Sequence, residues 1–119
     1  MAFKTFYKYQ GTGNDFILID GRAEIPTLTQ SEIEKLCHRR FGIGADGLII
    51  LAPHDTLDFR MIYYNSDGRE STMCGNGGRC ISKFATDLGI VADRLQFHAI
   101  DGSHWAEVRG NQVSLGMID

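Results

Sequence analysis

A cysteine placed just ahead of a run of glycines is where this chain could do chemistry. The stretch from Asn65 to Cys80 reads Asn-Ser-Asp-Gly-Arg-Glu-Ser-Thr-Met-Cys-Gly-Asn-Gly-Gly-Arg-Cys. Cys80, Ile81, Phe84, Ala85 and Leu88 fall on one face at helical spacing, and Gly89 follows as a stop. A helix therefore starts near Asn76, and Cys74 stands at its mouth. Backbone N–H groups without helical partners and the positive end of the helix dipole attract anions there. A thiol in that place loses its proton more easily. Gly75, Asn76, Gly77 and Gly78 let a ligand come close to the backbone. A lone cysteine is more often a small buried hydrophobe, but the glycines and the helix mouth favour an activated thiolate beside an anion-binding nest. Cys80, on the apolar face of the same helix, belongs to the core.

The elements that must hold this stretch can be read on either side of it. Leu57 to Tyr64 is a strand, with Phe59, Met61 and Tyr63 alternating against Arg60, Ile62 and Tyr64. Asn65-Ser-Asp-Gly68 is turn chemistry. Phe3 to Gln10 and Phe16 to Ile19 read as two strands around the glycine turn Gly11-Thr-Gly-Asn-Asp. No helix opens directly after that turn, so it is not a dinucleotide fingerprint. Thr29 to Phe41 is a helix with a capping box at Thr29 and Glu32 and a staple of Leu28 on Ile33. Ile33, Leu36, Cys37 and Phe41 form its buried stripe, Arg39 and Arg40 suit its negative end, and Gly42 ends it. Cys37 is core, and His38 is a helix residue near that end. Gly42-Ile-Gly-Ala-Asp-Gly47 is a tight loop into the apolar strand Leu48 to Leu51. Asp46 either braces this loop or is a solvated turn carboxylate.

After Gly89 come short strands at Arg94 to Ala99, His104 to Arg109 and Gln112 to Met117. Asp101-Gly102 and Gly110-Asn111 are their hairpin signals. Trp105 is a core or rim anchor. His98 and His104 have no neighbouring carboxylate or second ligand at metal spacing and are structural. Together the elements predict one α+β domain over residues 1–119. It is strand-rich, with a mostly antiparallel curved sheet wrapped around one central helix, and it is not a βαβ array.

Composition narrows the function classes. The chain has 119 residues, 43% hydrophobic and 23% charged, with a net charge of -3. No run of one sign favours nucleic acid or an anionic membrane. No apolar stretch approaches the ~20 residues of a membrane span, and no signal-peptide core is expected at the start. Three cysteines fit reduced thiols in a cytoplasm better than a disulfide framework. Cys74 and Cys80 are spaced for neither a C-x-x-C redox pair nor a zinc knuckle, so no metal is expected.

Met73-Cys-Gly-Asn-Gly-Gly-Arg-Cys80, preceded by Asn65-Ser-Asp-Gly68, closely resembles the active-site segment of the diaminopimelate epimerases. Gly11-Thr-Gly-Asn-Asp-Phe16 and Gly42-Ile-Gly-Ala-Asp-Gly47 agree with that family in the same order. The resemblance spans this chain but only the first half of a family member. It implies a cofactor-independent isomerase of lysine biosynthesis, with neither pyridoxal phosphate nor metal, acting on diaminopimelate. It implies that Cys74 is one of two acid/base cysteines. Gly75 and Asn76 then bind the α-carboxyl end, and Asn14 and Asn65 recognise the substrate. On sequence position alone Asn14 reads as a turn asparagine capping its own backbone, and Asn65 reads equally well as a turn residue. Some family members carry a polar side chain where Gly47 stands, and that role is not carried over.

Inverting an α-carbon requires removing a proton from one face and returning one to the other. Two bases on opposite sides are the direct solution, with the developing carbanion held by preorganised charge. The second cysteine belongs to the other half of the family, so the expected partner is that missing half or a second copy of this chain. A related cysteine-based racemase of another amino acid is the alternative, as is a non-catalytic half-domain that only binds ligand or partner.

Overall fold

The computed structural model describes residues 5–11, 13–72, 75–90 and 93–118. Among them are seven strands and two helices in the order β1 (Tyr7–Gly11), β2 (Asn14–Asp20), α1 (Gln30–Cys37), β3 (Gly47–Ala52), β4 (Phe59–Asn65), α2 (Gly75–Asp87), β5 (Arg94–Ala99), β6 (Gly102–Arg109) and β7 (Gln112–Met117). The strands lie side by side in chain order in one sheet. That sheet curls, because α2 packs against both edge strands, β1 and β7, as well as β2, β3 and β6.

The sheet is mixed. β1–β2, β3–β4, β5–β6 and β6–β7 are antiparallel, while β2–β3 and β4–β5 are parallel. The expected mostly antiparallel curved sheet around a central helix holds for four of the six pairs, but two pairs are parallel and a second helix covers the other face. A parallel pair needs a long crossover, and a helix supplies it. α1 lies in the β2–β3 connection and α2 in the β4–β5 connection, giving two βαβ units within an α+β domain.

Two cores result, one on each face. Phe16 and Leu18 of β2 and Ile49 and Leu51 of β3 face α2, with Phe59, Met61, Tyr63, Ile81, Phe84, Leu95 and Phe97. Ile17, Ile19, Leu48 and Ile50 face α1, against Ile33, Leu36 and Cys37. Alternation along a strand sends successive residues to opposite faces. A strand covered on both faces therefore reads as an unbroken apolar run, as Phe16 to Ile19 and Leu48 to Ala52 do.

α2 carries its apolar stripe as expected. Cys80, Ile81, Phe84 and Ala85 are buried, with Gly77, Gly78 and Ser82. The Phe84 ring meets Tyr7 and Tyr9 of β1, with centroids 5.0 and 5.5 Å apart. Gly89 ends the helix at φ 79°. The Gly89 N–H donates to Thr86 and the Ile90 N–H to Ala85, the paired bonds of a glycine-closed C-terminus.

α1 starts as read and ends earlier. Thr29 Oγ1 accepts from the Glu32 N–H at 3.1 Å, and Glu32 Oε1 accepts from the Thr29 N–H at 2.9 Å. The helix stops at Cys37 with His38 as its C-cap, not at Phe41 and Gly42. His38 Nδ1 accepts from the Arg40 and Phe41 N–H groups and turns the chain out of the helix. The carbonyls of Leu36 and Cys37 are then taken by Ile43, Gly44 and Ala45 as the loop folds back. Gly42 is needed for that close return, since a Cβ there would lie 1.9 Å from the Lys35 carbonyl oxygen. Phe41, placed in the buried stripe from sequence, is 81% exposed. His104 is buried in a structural place, but it does have a carboxylate neighbour: its Nε2 lies 2.8 Å from Asp101 Oδ1. Trp105 lies at the exposed rim, across Gly116 of β7. No helix among the described residues is long and apolar enough to cross a membrane.

Candidate active site

The sheet gathers the motifs at one edge. β2 and β3 run parallel, so both start there, and β4 runs antiparallel to β3, so it ends there. Asn14 is the first residue of β2, Gly47 the first of β3 and Asn65 the last of β4. Gly47 pairs with both Phe16 and Asn65. α2 opens at the same edge with Gly75 and Asn76. Gly11, at the end of β1, comes against this first turn: a Cβ there would lie 3.3 Å from the Asn76 carbonyl oxygen and 3.4 Å from Cys80 Sγ.

Two of the candidate residues touch. Asn76 Nδ2 donates to Asn14 Oδ1 at 2.5 Å, joining the 11–16 and 65–80 motifs across 62 residues of chain. Asn65 shares the edge but is two strands away from Asn14. Its backbone closes the turn, donating to the Arg69 carbonyl and accepting from the Gly68 N–H, each at 2.9 Å. Gly68 has φ 84°, and a Cβ there would strike the Gln30 carbonyl oxygen at 2.2 Å. Gly75 is exposed, and Asn76 is half-buried. Cys74, the candidate base, lies outside the described residues. Its neighbour in sequence, Gly75, is the first residue of α2. Cys80 is buried in the core below.

No acidic residue stands in the first turn of α2 among the described residues, and Arg79 Nη1 lies 3.4 Å from Asn76 Oδ1. Glycines, helical N–H groups, the dipole and a nearby guanidinium together make this end electropositive. The arrangement suits a carboxylate.

The loop after α1 braces the Asn14 side. Asp46 Oδ2 accepts from Asn14 Nδ2 and from the Asp15 N–H, each at 3.1 Å. Arg39 grips Asp15 with two bonds of 2.8 and 2.7 Å and reaches Asp46 Oδ1 at 3.1 Å. Lys8 Nζ bonds Asp15 Oδ2 at 2.9 Å and also the Gly44 carbonyl. The Arg39 guanidinium, supported by Lys8, holds the Asp15 carboxyl well below the usual carboxylate range. The sequence left Asp46 open between a brace and a solvated turn; it is a brace. Arg39 and Asp15 were not singled out for the site at all. The available signal was two carboxylates beside glycine turns, with an Arg-Arg pair that the short α1 cannot use.

Cys37 is buried on the α1 side, and burial pushes its thiol up to about 11. Gly47 has no room for a side chain, since a Cβ would lie 2.7 Å from the Tyr63 ring and 2.8 Å from the Tyr64 carbonyl oxygen.

Comparison with known proteins agrees with the motifs. A diaminopimelate epimerase from Flavobacterium psychrophilum is 58% identical over 108 residues, covering 90% of this chain and 42% of its own length. One from a Synechococcus strain is 50% identical over 109 residues, covering 88% of this chain and 38% of its own. The chain thus spans about two fifths of the length of these curated relatives. Among solved structures, a Bacillus anthracis phenazine biosynthesis protein of the PhzF family superposes with a TM-score of 0.64 at 18% identity, covering 92% of this chain and 38% of that one. At that identity it shows a shared fold. The family model for diaminopimelate epimerase matches residues 6–117, and the chain belongs to the diaminopimelate epimerase family.

Proposed function

We propose that this chain forms one half of a diaminopimelate epimerase site and supplies one of its two acid/base cysteines. The observation that carries the reading is the Asn14–Asn76 bond, which brings two separate motifs to the mouth of α2. In this reading the α-carboxylate of LL-diaminopimelate sits on the N–H groups of Gly75 and Asn76. Asn14 and Asn65 recognise polar groups of the substrate. The Cys74 thiolate takes the α-proton and becomes a thiol, and the electron pair stays on the α-carbon. Positive charge at the helix mouth stabilises that carbanion before it is reprotonated. A second thiol, from outside these 119 residues, gives a proton to the opposite face and becomes a thiolate. One proton is lost and one gained, and the centre is inverted.

In this reading the chemistry needs no cofactor, and the protein works in lysine biosynthesis in the cytoplasm, where its three cysteines stay reduced. The partner that brings the second thiol is the C-terminal half of the family, for which the 42% coverage of the Flavobacterium relative argues.

Incubation with LL-diaminopimelate in D2O, with Cys74→Ala as control, tests the reading. Deuteration at the α-carbon that disappears in the control is the expected result. Retained configuration means a one-base half-site, and inversion means that a second copy supplies the other base. No exchange by folded protein, alone or with a C-terminal half added, overturns it in favour of a half-domain that only binds.

A further inference from the structure

Two asparagines at the mouth of α2 bridge a group that only accepts hydrogen bonds and a group that only donates them. A carboxylate is an acceptor and a guanidinium a donor. Asp46 Oδ2 lies 3.1 Å from the Asn14 amide, so Asn14 must turn its NH2 toward Asp46. Its Oδ1 then faces Asn76, which must answer with its own NH2, 2.5 Å away. Asn76 Oδ1 is left on the far side, 3.4 Å from Arg79 Nη1. Flipping either amide alone sets oxygen against oxygen or nitrogen against nitrogen. The anionic end is itself fixed, because Asp46 also accepts from the Asp15 N–H and from Arg39 Nη2, each at 3.1 Å.

We propose that Asp46 and Arg79 are positioning residues that fix the direction of both amides, so that Asn14 meets the ligand as a hydrogen-bond donor. After the bond to Asp46, Asn14 Nδ2 keeps a second hydrogen that no described residue takes up. A carboxylate oxygen is the group it suits. This rests on the reading that Asn14 faces the substrate.

The test is 15N-edited NMR of the Asn14 and Asn76 side-chain NH2 groups in the 119-residue chain, with and without meso-diaminopimelate as probe. Arg79 is exposed, so its replacement does not remove core packing. Arg79→Glu puts an acceptor at both ends, and one bond of the relay must break. The Asn76 NH2 pair, beside the new carboxylate, should shift and exchange about tenfold faster, the scale of one lost hydrogen bond. Ligand affinity should fall by a similar factor with the backbone spectrum unchanged. Arg79→Lys, still a donor, should restore the wild-type pattern, and Asp46→Ala should free the Asn14 pair. An unchanged Asn76 pair in Arg79→Glu, or the same loss in Arg79→Lys, overturns the proposal. If the NH2 pairs respond as expected but meso-diaminopimelate moves neither in the wild-type chain, the positioning stands and the substrate reading fails.

Discussion

The N-termini of the two helices are built in opposite ways. α1 closes its own: Thr29 takes the Glu32 N–H, Glu32 takes the Thr29 N–H, and Glu32 adds a negative charge at the positive end. α2 begins Gly-Asn-Gly-Gly, with no acidic residue in its first turn, and glycine is among the poorest helix formers. Its stability comes from below, where Ile81, Phe84 and Ala85 are buried against the curled sheet. In the proposed reading the difference separates a helix end made for stability from one left for a ligand. Where local preference is poor and packing carries the element, a functional site is the expected reason.

The sharpest way to break the comparison uses Cys37 and Cys74. Cys37 is the last residue of α1, and burial pushes its thiol up to about 11. It should be thiolate at a level on the order of 10⁻⁴ near neutral pH. Cys74 precedes the open mouth of α2. Iodoacetamide followed by mass spectrometry should label Cys74 at least about a hundredfold faster than Cys37. Faster labelling of Cys37 or Cys80 would reverse the assigned roles.

A smaller effect is expected from the caps. Thr29→Ala removes the α1 capping bond and should cost about 1 kcal/mol, a Tm loss of roughly 4–8 °C. Ligand affinity in the folded state should not change. Gly75→Glu gives α2 the acidic first turn it lacks. The new Cβ would lie 3.1 Å from the flexible end of Arg79. Stability should rise by about 0.3–1 kcal/mol, while binding of meso-diaminopimelate weakens. Thermal melts and calorimetric titration read the two signs separately. Unchanged or tighter binding would mean that the α2 mouth is not a carboxylate site.

Local signals were legible in the sequence and distant pairings were not. The Thr29–Glu32 box, the α2 stripe and the Gly89 stop each depend on residues within a few positions. All are present as read. The parallel pairs escaped because strand direction is set by what the connecting helix does. The order strand, helix, strand from Phe16 to Leu51 carried that information. Gly42 was misread as a helix stop because a glycine required by a close approach looks the same in sequence as one required by a positive φ. The motifs of the candidate site were visible, and Gly75 and Asn76 do open α2, while Cys74 lies outside the described residues. Asp46 stayed open between brace and solvated turn, and Arg39 was not visible as a brace, since they meet Asn14 and Asp15 only after 32 and 24 residues of chain return.

The most direct measurement is a 15N backbone titration with meso-diaminopimelate that compares the first turns of the two helices. The account predicts saturable shifts at Gly75, Asn76, Gly77 and Gly78, with Gln30, Ser31 and Glu32 unmoved. Shifts at α1, or none at α2, would contradict it.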